Sequence, residues 1–482
     1  MKRITGLFLL LFILAGTASH AQQTYTLEQC VETAVQNSLS IQRSSLQVEA
    51  AQSNFRQSKE NLLPTISGSA TETFRTGRSI DPFTNQFIQT TINSTSVGIN
   101  AGMTLFNGFQ QSNNIRKNRI DYQAAQYDVE QQKQQVAIDV ANAYLQVVMA
   151  KEQLKVAQAQ RASTEAQLKR VQAQYAAGAA AENQVLDLEA QLANDDINII
   201  AAENQLRLAK LNLQQIMNIP LDTAFDVADV QIETITNPYS GQSVESLYQM
   251  AARHQYSLKS AELRAQSARI SREIAQGRRL PTLSLNAGLS SFYTSSAPEQ
   301  IFEPDGTTRT VEVPIGYLQS DPSQVVVAQQ TVPNGKIVDN RFWNQMDYNL
   351  SSFVSINLNI PIYSAGTTRN SIQQSKIQER TAQIQMQETR NQLRQSIEQA
   401  YNNLLSAEIT YNARLKQVEA LERTFRNAEK RFELGGTSFV DYNLAKLNLA
   451  RAQADLIRAK YEYLFRIKVL DYLTQGNNPN GQ

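Results

Sequence analysis

The chain has 482 residues, and its 45 Lys and Arg against 44 Asp and Glu give a formal net charge of +1. This balance excludes a large basic face for gripping nucleic-acid phosphates. Two His and one Cys are too few for a His/Cys zinc site or an intrachain disulfide, so we expect no metal and no cofactor. No nucleophile motif lies near His254 and no nucleotide-binding Gly-Lys-Ser/Thr loop occurs, so an enzyme is not expected.

The N-terminus has the three parts of a secretory leader. Lys2 and Arg3 precede an apolar run, and the small-residue segment Ser19-His20-Ala21 follows it. This pattern predicts a signal peptide over residues 1–21 and an exported mature chain that begins at Gln22. The apolar run is shorter than the roughly 20 residues of a membrane-crossing helix, and no later stretch comes closer, so we expect no inner-membrane helix. Cys30 lies well past the cleavage point, which argues against a lipid-anchored N-terminus.

The mature chain contains an internal duplication. Leu63-Pro64-Thr65 recurs 217 residues later as Leu280-Pro281-Thr282, and Gly178 recurs 257 residues later as Gly435. The difference between these spacings, 257 and 217, places a net 40 extra residues in the second half between residues 281 and 354. One architecture built twice is therefore predicted. The predicted segments are a first repeat at 22–217, a connector at 218–242, a second repeat at 243–476 and a flexible tail at 477–482.

The apolar period changes in the same order in both repeats. Thr26 and Gln29 form a capping-box pattern at the start of the first helix. Later, Val97 to Leu105 alternates apolar residues with Gly, Asn and Thr, which predicts a strand with one apolar and one polar face. The predicted helices are 26–61, 110–175 and 180–217, then 243–278, 367–432 and 437–475. The predicted strands are about 65–76 and 90–106, then about 282–294 and 347–362.

Four strands per chain imply both a membrane and an oligomer. Their lengths are near the roughly 9 to 11 residues that a tilted transmembrane strand requires. Open strand edges in lipid cost several kcal/mol for each unpaired backbone group, so such a sheet must close. Two copies would give a filled barrel and three a barrel with a lumen, so a conduit through lipid implies a homotrimer. A soluble sandwich with one buried face is the alternative reading of the strands.

The loops between the strands carry turn signals. The segments Pro304-Asp305-Gly306 and Pro333-Asn334-Gly335 predict turns of hairpin type in the long second loop. The only Trp, Trp343, lies with Phe342 and Tyr348 where this loop re-enters a strand. An aromatic girdle at a membrane boundary and simple packing of the loop are both compatible with this position.

Two short motifs at equivalent repeat positions carry a family resemblance. The segment Arg431 to Asp441 reads Arg-Phe-Glu-Leu-Gly-Gly-Thr-Ser-Phe-Val-Asp, and its first-half counterpart is Tyr175-Ala176-Ala177-Gly178. With the element order, these motifs make the whole mature chain resemble the TolC-type outer membrane efflux proteins. The resemblance implies a mixed α and membrane β fold. Two tandem repeats of long antiparallel α-helices would form a periplasmic α-barrel, and four strands per chain would join a trimeric 12-stranded β-barrel.

The resemblance also implies a function. The chain would be a passive outer membrane channel of a tripartite efflux or type I secretion system in a Gram-negative-type bacterium. A periplasmic adaptor would open it, and an inner-membrane pump or secretion transporter would power it. The alternatives are a secreted trimeric coiled-coil scaffold or adhesin without a pore, and an envelope enzyme, for which the sequence offers no convergent polar pocket.

The family pattern assigns roles to residues near the two Gly turns. Asp441 falls on an acidic ring at the pore aperture, whereas Leu444 stands where some members have a second Asp and Thr437 where some have a basic residue. Asp187 is the first-repeat candidate for the aperture. Both Asp residues can instead be read as first-turn carboxylates that favour a helix N-terminus. The residues expected at the hairpin tips, where an adaptor docks, are Tyr175, Gly178, Phe432, Gly435 and Gly436.

Overall fold

A computed structural model describes residues 24–80, 85–222, 224–228, 235–434 and 436–475. The predicted signal peptide and the predicted tail lie outside these residues. The chain divides into two compact units. The helical unit takes in Met1–Asn54, Lys117–Arg269 and Ile377–Gln482, and the sheet unit takes in Phe55–Arg116 and Ile270–Lys376. Each unit combines segments from both predicted repeats, so the compact units do not coincide with the repeats.

The elements follow one another in the order that the two repeats predict, with additions. The first half contains β1 (Thr24–Tyr25), α1 (Leu27–Asn37), α2 (Leu39–Glu60), β2 (Thr65–Ile80), β3 (Phe87–Asn107), α3 (Gln110–Ala176) and α4 (Glu182–Ile216). After β4 (Asp226–Val227), the second half contains α5 (Val244–His254), α6 (Tyr256–Gly277), β5 (Thr282–Thr294), β6 (Gln300–Leu318), β7 (Asp321–Asp339), α7 (Phe342–Tyr348), β8 (Ser351–Asn359), α8 (Thr367–Glu433) and α9 (Phe439–Gln475).

The prediction of single helices at 26–61 and 243–278 is wrong at one position in each. Ser38 has ψ 119° and separates α1 from α2, and Gln255 has ψ 116° and separates α5 from α6. The backbone N–H of each extended residue still donates to the carbonyl oxygen of the residue four positions earlier, so the preceding helix ends with a normal helical hydrogen bond. Neither break uses Pro or Gly, and the apolar pattern alone therefore does not reveal it. The Thr26 capping box is present as predicted.

The main sheet is antiparallel, with strand order β2-β3-β5-β8. On one face, Ile99 pairs with Gly68 on one side and with Leu289 on the other. The exposed residues of this apolar face include Ile66, Leu289, Val354, Ile356 and Leu358, and Val354 is 75% exposed. β2 and β8 are the outer strands and have no further strand partner among the described residues. The sheet thus leaves an apolar face and two edges for other contacts.

The long second loop contains a separate hairpin, β6–β7. The predicted hairpin turns at Pro304-Asp305-Gly306 and Pro333-Asn334-Gly335 are wrong. The two motifs instead face each other across the hairpin, where Pro304 pairs with Gly335 and the register shifts between Pro304 and Thr308. Pro lacks a backbone donor and Gly tolerates close approach, so both residue types suit a ladder irregularity as well as a turn.

The strand predicted from 347 begins only at Ser351, because α7 precedes it.

The helical unit is built around its longest members. α3 and α8 have 67 residues each, which corresponds to about 100 Å at 1.5 Å per residue. Cys30 is buried in a core that includes Val140, Tyr144 and Leu213, and burial raises the pKa of its thiol to about 12. Cys30 is therefore a packing residue. None of the helices in the described part of the chain is both long enough and apolar enough to cross a membrane.

Candidate site at the helical hairpins

The first candidate hairpin joins α3 to α4 through Gly178. Gly178 has φ +77°, a left-handed conformation that favours glycine. Its N–H donates to the Tyr175 carbonyl at 2.9 Å, and the Ala179 N–H donates to the Gln174 carbonyl at 2.8 Å. These two bonds form a Schellman cap. A Cβ at position 178 meets no heavy atom of the described chain within 4 Å, so conformation and not space requires glycine here.

The second hairpin joins α8 to α9 with the same closing bond. The Gly436 N–H donates to the Arg431 carbonyl at 2.7 Å, which corresponds to the bond from Ala179 to Gln174 in the first hairpin. Gly435, the predicted turn residue, lies outside the described residues. The equivalent bond supports the equivalence of the two turns that the sequence predicts.

Aromatic rings pack across the second hairpin. Phe432 stacks on Tyr442 with ring centroids 4.9 Å apart, and Phe439 lies 6.1 Å from Phe432. Tyr442 is buried, and this burial is the main reason that the pKa of its hydroxyl is raised to about 12. Phe432 is only partly exposed, whereas Tyr175 on the first hairpin is exposed. The two predicted docking aromatics therefore stand in different surroundings, and their docking role stays a prediction.

Asp441 lies in the first turn of α9 and is exposed. Its carboxylate accepts hydrogen bonds from Ser438 Oγ at 2.8 Å and from Thr437 Oγ1 at 3.3 Å. The Ser438 bond, more than any other contact, holds the pKa of Asp441 below its usual value. The carboxylate is thus ionised and fixed within its own helix cap, which suits a first-turn carboxylate and leaves its charge exposed to solvent.

Asp187 is placed differently. α4 begins at Glu182, so Asp187 is its sixth residue and the first-turn acid is Glu182. The reading of Asp187 as a first-turn carboxylate is therefore wrong, because Asp187 lies more than one turn of about 3.6 residues after the start of the helix. Asp187 is exposed and precedes the buried Leu188. Its role at an aperture stays a prediction.

A buried polar network, which the sequence analysis missed, links the two hairpins. Lys446 of α9 is 4% exposed and donates to Thr164 Oγ1 of α3 at 2.8 Å. Thr164 donates in turn to Asp195 of α4, which is 2% exposed and also accepts a bond from Gln191 at 2.9 Å. Burial lowers the pKa of the Lys446 amine to about 8, against the opposing attraction of Asp195 and Glu429.

A sequence signal for this network exists. Lys446 follows the buried Tyr442 by four residues, and Asp195 follows the buried Leu188 by seven. Both spacings place a charge on the apolar side of its helix. A further ion pair, Arg170 with Glu433, joins the hairpins closer to their tips. Both of its side chains are about half exposed to solvent, so the pair contributes at most about 1 kcal/mol.

Comparison with known proteins identifies the family. The outer membrane efflux protein family matches residues 30–218 and 339–470, which is more than half of the chain. The chain belongs to the outer membrane efflux protein family. This assignment places it in the outer membrane and disfavours a secreted scaffold or adhesin. The family is one of efflux proteins and not a class of enzymes.

Individual relatives agree with this assignment. The chain is 23% identical over 447 residues to the outer membrane protein TolC of Escherichia coli, covering 92% of this chain and 81% of the relative. It is 22% identical over 471 residues to TolC of Vibrio cholerae, covering 97% and 94%. The crystal structure of the outer membrane protein VceC from Vibrio cholerae superposes with a TM-score of 0.72 at 15% identity, covering 93% of this chain and 96% of VceC. This last similarity concerns the fold.

Proposed function

We propose that the chain forms a homotrimeric conduit through the outer membrane for efflux or for type I secretion. The observation that carries the proposal is the exposed apolar face of the main sheet together with its two open edges. An apolar face of this kind suits lipid, and an edge in lipid requires a strand partner. The opposite face carries polar residues such as Asn100, Asn286 and Ser355, which suit a watery lumen.

Strand directions favour closure between copies. The four strands alternate in direction from β2 to β8, so β8 of one copy would meet β2 of the next in the same antiparallel sense. Three copies would give a 12-stranded barrel with room for a lumen. The long helices α3 and α8 would extend into the periplasm as an α-barrel.

The helical hairpins would form the periplasmic end of the conduit. A periplasmic adaptor would dock at the tips, with Tyr175, Gly178, Phe432, Gly435 and Gly436, and an inner-membrane pump or secretion transporter would supply the energy. Asp441 and Asp187 would line the aperture, where an ionised carboxylate attracts cations. Opening would follow from a better fit of the adaptor to the open form.

The test is single-channel recording from the detergent-purified protein in planar bilayers. We expect a trimer that forms discrete cation-preferring channels. Asp441→Ala should lower the preference for cations several-fold, because it removes a fixed negative charge, and Asp187→Ala should act in the same direction. Glu419→Ala, which removes an exposed carboxylate of α8 about four turns before the helix ends at Glu433, serves as the matched control and should leave the recordings unchanged.

The possible failures separate the parts of the proposal. A mature chain that stays monomeric and soluble without detergent would overturn the channel. Normal channels with an unchanged cation preference in Asp441→Ala would remove only Asp441 from the aperture.

A further inference from the structure

Hydrogen bonds from side chains hold the short helix α7 against the sheet. Gln345 is buried and accepts the Thr294 backbone N–H at 3.0 Å, while its own amide donates to the Asn340 carbonyl at 2.9 Å. Ser291 donates to the Met346 carbonyl, and the Asn349 amide donates to the Phe292 carbonyl at 2.8 Å. These bonds fix α7 on the last residues of β5.

α7 covers the apolar side of the sheet. Ser291 pairs with Val97 and Leu289 pairs with Ile99, and these pairs share one face because residues two apart on a strand point the same way. Ser291 is buried beneath α7, and the Tyr293 ring on the same face lies 5.1 Å from Phe342 of α7. The helix therefore lies on the face that the proposed function turns towards lipid, at the end of β5 farthest from its connection to α6.

The outer surface of α7 is aromatic. Trp343 is 78% exposed, and its ring meets Phe342 edge-on at 5.1 Å. Tyr348, at the other end of the helix, is also exposed. Both side chains join a large apolar ring to one polar group, and such residues concentrate where hydrocarbon meets water. Arg341, the residue directly before the helix, is exposed, so a long cationic side chain begins next to this aromatic surface.

We propose that α7 is an interfacial helix that contacts the outer leaflet of the membrane, with Trp343 and Tyr348 at the boundary between headgroups and acyl chains. The apolar sheet face continues directly into the aromatic surface of the helix, and this continuity selects lipid as the partner. The inference rests on the proposed function, because it needs the sheet face to meet lipid. α7 would fix how far the sheet enters the bilayer.

The sole Trp makes the unmodified protein its own probe. The trimer is reconstituted into phosphatidylcholine vesicles that carry bromine on the acyl chains, either near the headgroup or near the chain end. We expect a blue-shifted Trp343 emission that shallow bromine quenches several-fold more than deep bromine, and that aqueous iodide quenches weakly. Emission that iodide quenches fully and neither bromolipid quenches would overturn the inference.

Two variants calibrate the measurement. Trp343→Phe combined with Tyr348→Trp should retain the shallow quenching, since both positions lie on the exposed side of α7. Trp343→Phe combined with Ile409→Trp, an exposed position on α8, should respond to iodide alone. Single-channel activity is recorded from the same preparations. Normal channels with a water-exposed Trp343 would overturn the membrane contact of α7 but not the channel function. Absence of both channels and bromolipid quenching would overturn both proposals.

Discussion

Lys446 shows how a single charge can report on the contact between the two hairpins. Its amine is buried beside Thr164, with Asp195 and Glu429 as the facing carboxylates. Its pKa falls from 10.5 to about 8 because burial disfavours the charged form. Between these two values the unfolded chain binds more protons than the folded chain, so this residue's contribution to stability increases as the pH rises from about 8 to about 10.5.

This gives a prediction for Lys446→Met. The variant keeps the length of the side chain and removes the titration. The stability of the wild type relative to Lys446→Met should therefore increase by up to roughly 3 kcal/mol across that pH interval. Circular dichroism melting of the detergent-solubilised protein between pH 7 and 10.5 measures it. Lys430→Met, which alters an exposed lysine on α8, should show no such trend. A constant difference between wild type and Lys446→Met would mean that the amine is solvated.

The residues of the candidate site differ in how far sequence could place them. The Ser438–Asp441 cap and the Gly178 turn are local features that act within a few residues, so the sequence pattern alone offered the first-turn reading of Asp441 and the Gly turn at 178. The Lys446–Thr164–Asp195 network joins three helices that are distant in sequence. The contacts among its members exist only once the three helices have packed together. The sequence shows only that Lys446 and Asp195 are charged residues spaced so that they fall on the apolar side of their helices.

The close contact between the end of β3 and the end of α6 depends on two glycines. A Cβ at Gly277, the last residue of α6, would lie 2.4 Å from the Gly108 carbonyl oxygen. A Cβ at Gly108 would lie 2.2 Å from the Gly277 carbonyl oxygen. Backbone atoms cannot yield at such distances without moving the whole connection. The two glycines thus allow the end of β3 and the end of α6 to touch.

Gly277→Ala should therefore destabilise the sheet unit by about 1 to 3 kcal/mol, the usual cost of overpacking. The control is Gly316→Ala in β6, where a Cβ meets nothing within 4 Å and φ is not in the left-handed region. Thermal loss of the folded band on a gel run without boiling compares the two variants. Equal stability of both would show that the connection between β3 and α6 relaxes easily.

The element boundaries show what apolar periodicity captures. Long helices and alternating strands were predicted because their patterns repeat over many turns or residues, as in α3 and β3. The breaks at Ser38 and Gln255 were missed because one extended residue leaves the pattern almost intact. The β6–β7 hairpin was missed because its Pro and Gly residues occupy ladder irregularities, whereas the sequence reading took them for turns.

For the whole molecule, the family assignment establishes an outer membrane efflux protein, while the trimer depends on what covers two strand edges. On the polar face of the sheet, which the proposal turns towards the lumen, both edge strands carry small polar residues: Ser67 on β2 and Ser351, Ser355 and Asn357 on β8. Cysteines on this face of neighbouring strands can form disulfides in the oxidising periplasm. Cys30 does not compete, since it is buried and its raised pKa keeps the thiol protonated.

Closure of the barrel between copies can be tested by cross-linking β2 to β8. Ser67→Cys combined in turn with Ser351→Cys, Ser355→Cys or Asn357→Cys should give covalent trimers on a non-reducing gel for at least one pair, because head-to-tail pairing of β8 with the next copy's β2 links all three chains. Each single variant should run as a monomer after boiling. Ser67→Cys with Ser290→Cys is the matched control, since Ser290 lies on the same face of the interior strand β5. Channels that conduct normally while none of the three pairs cross-links would show that the sheet closes through other strands.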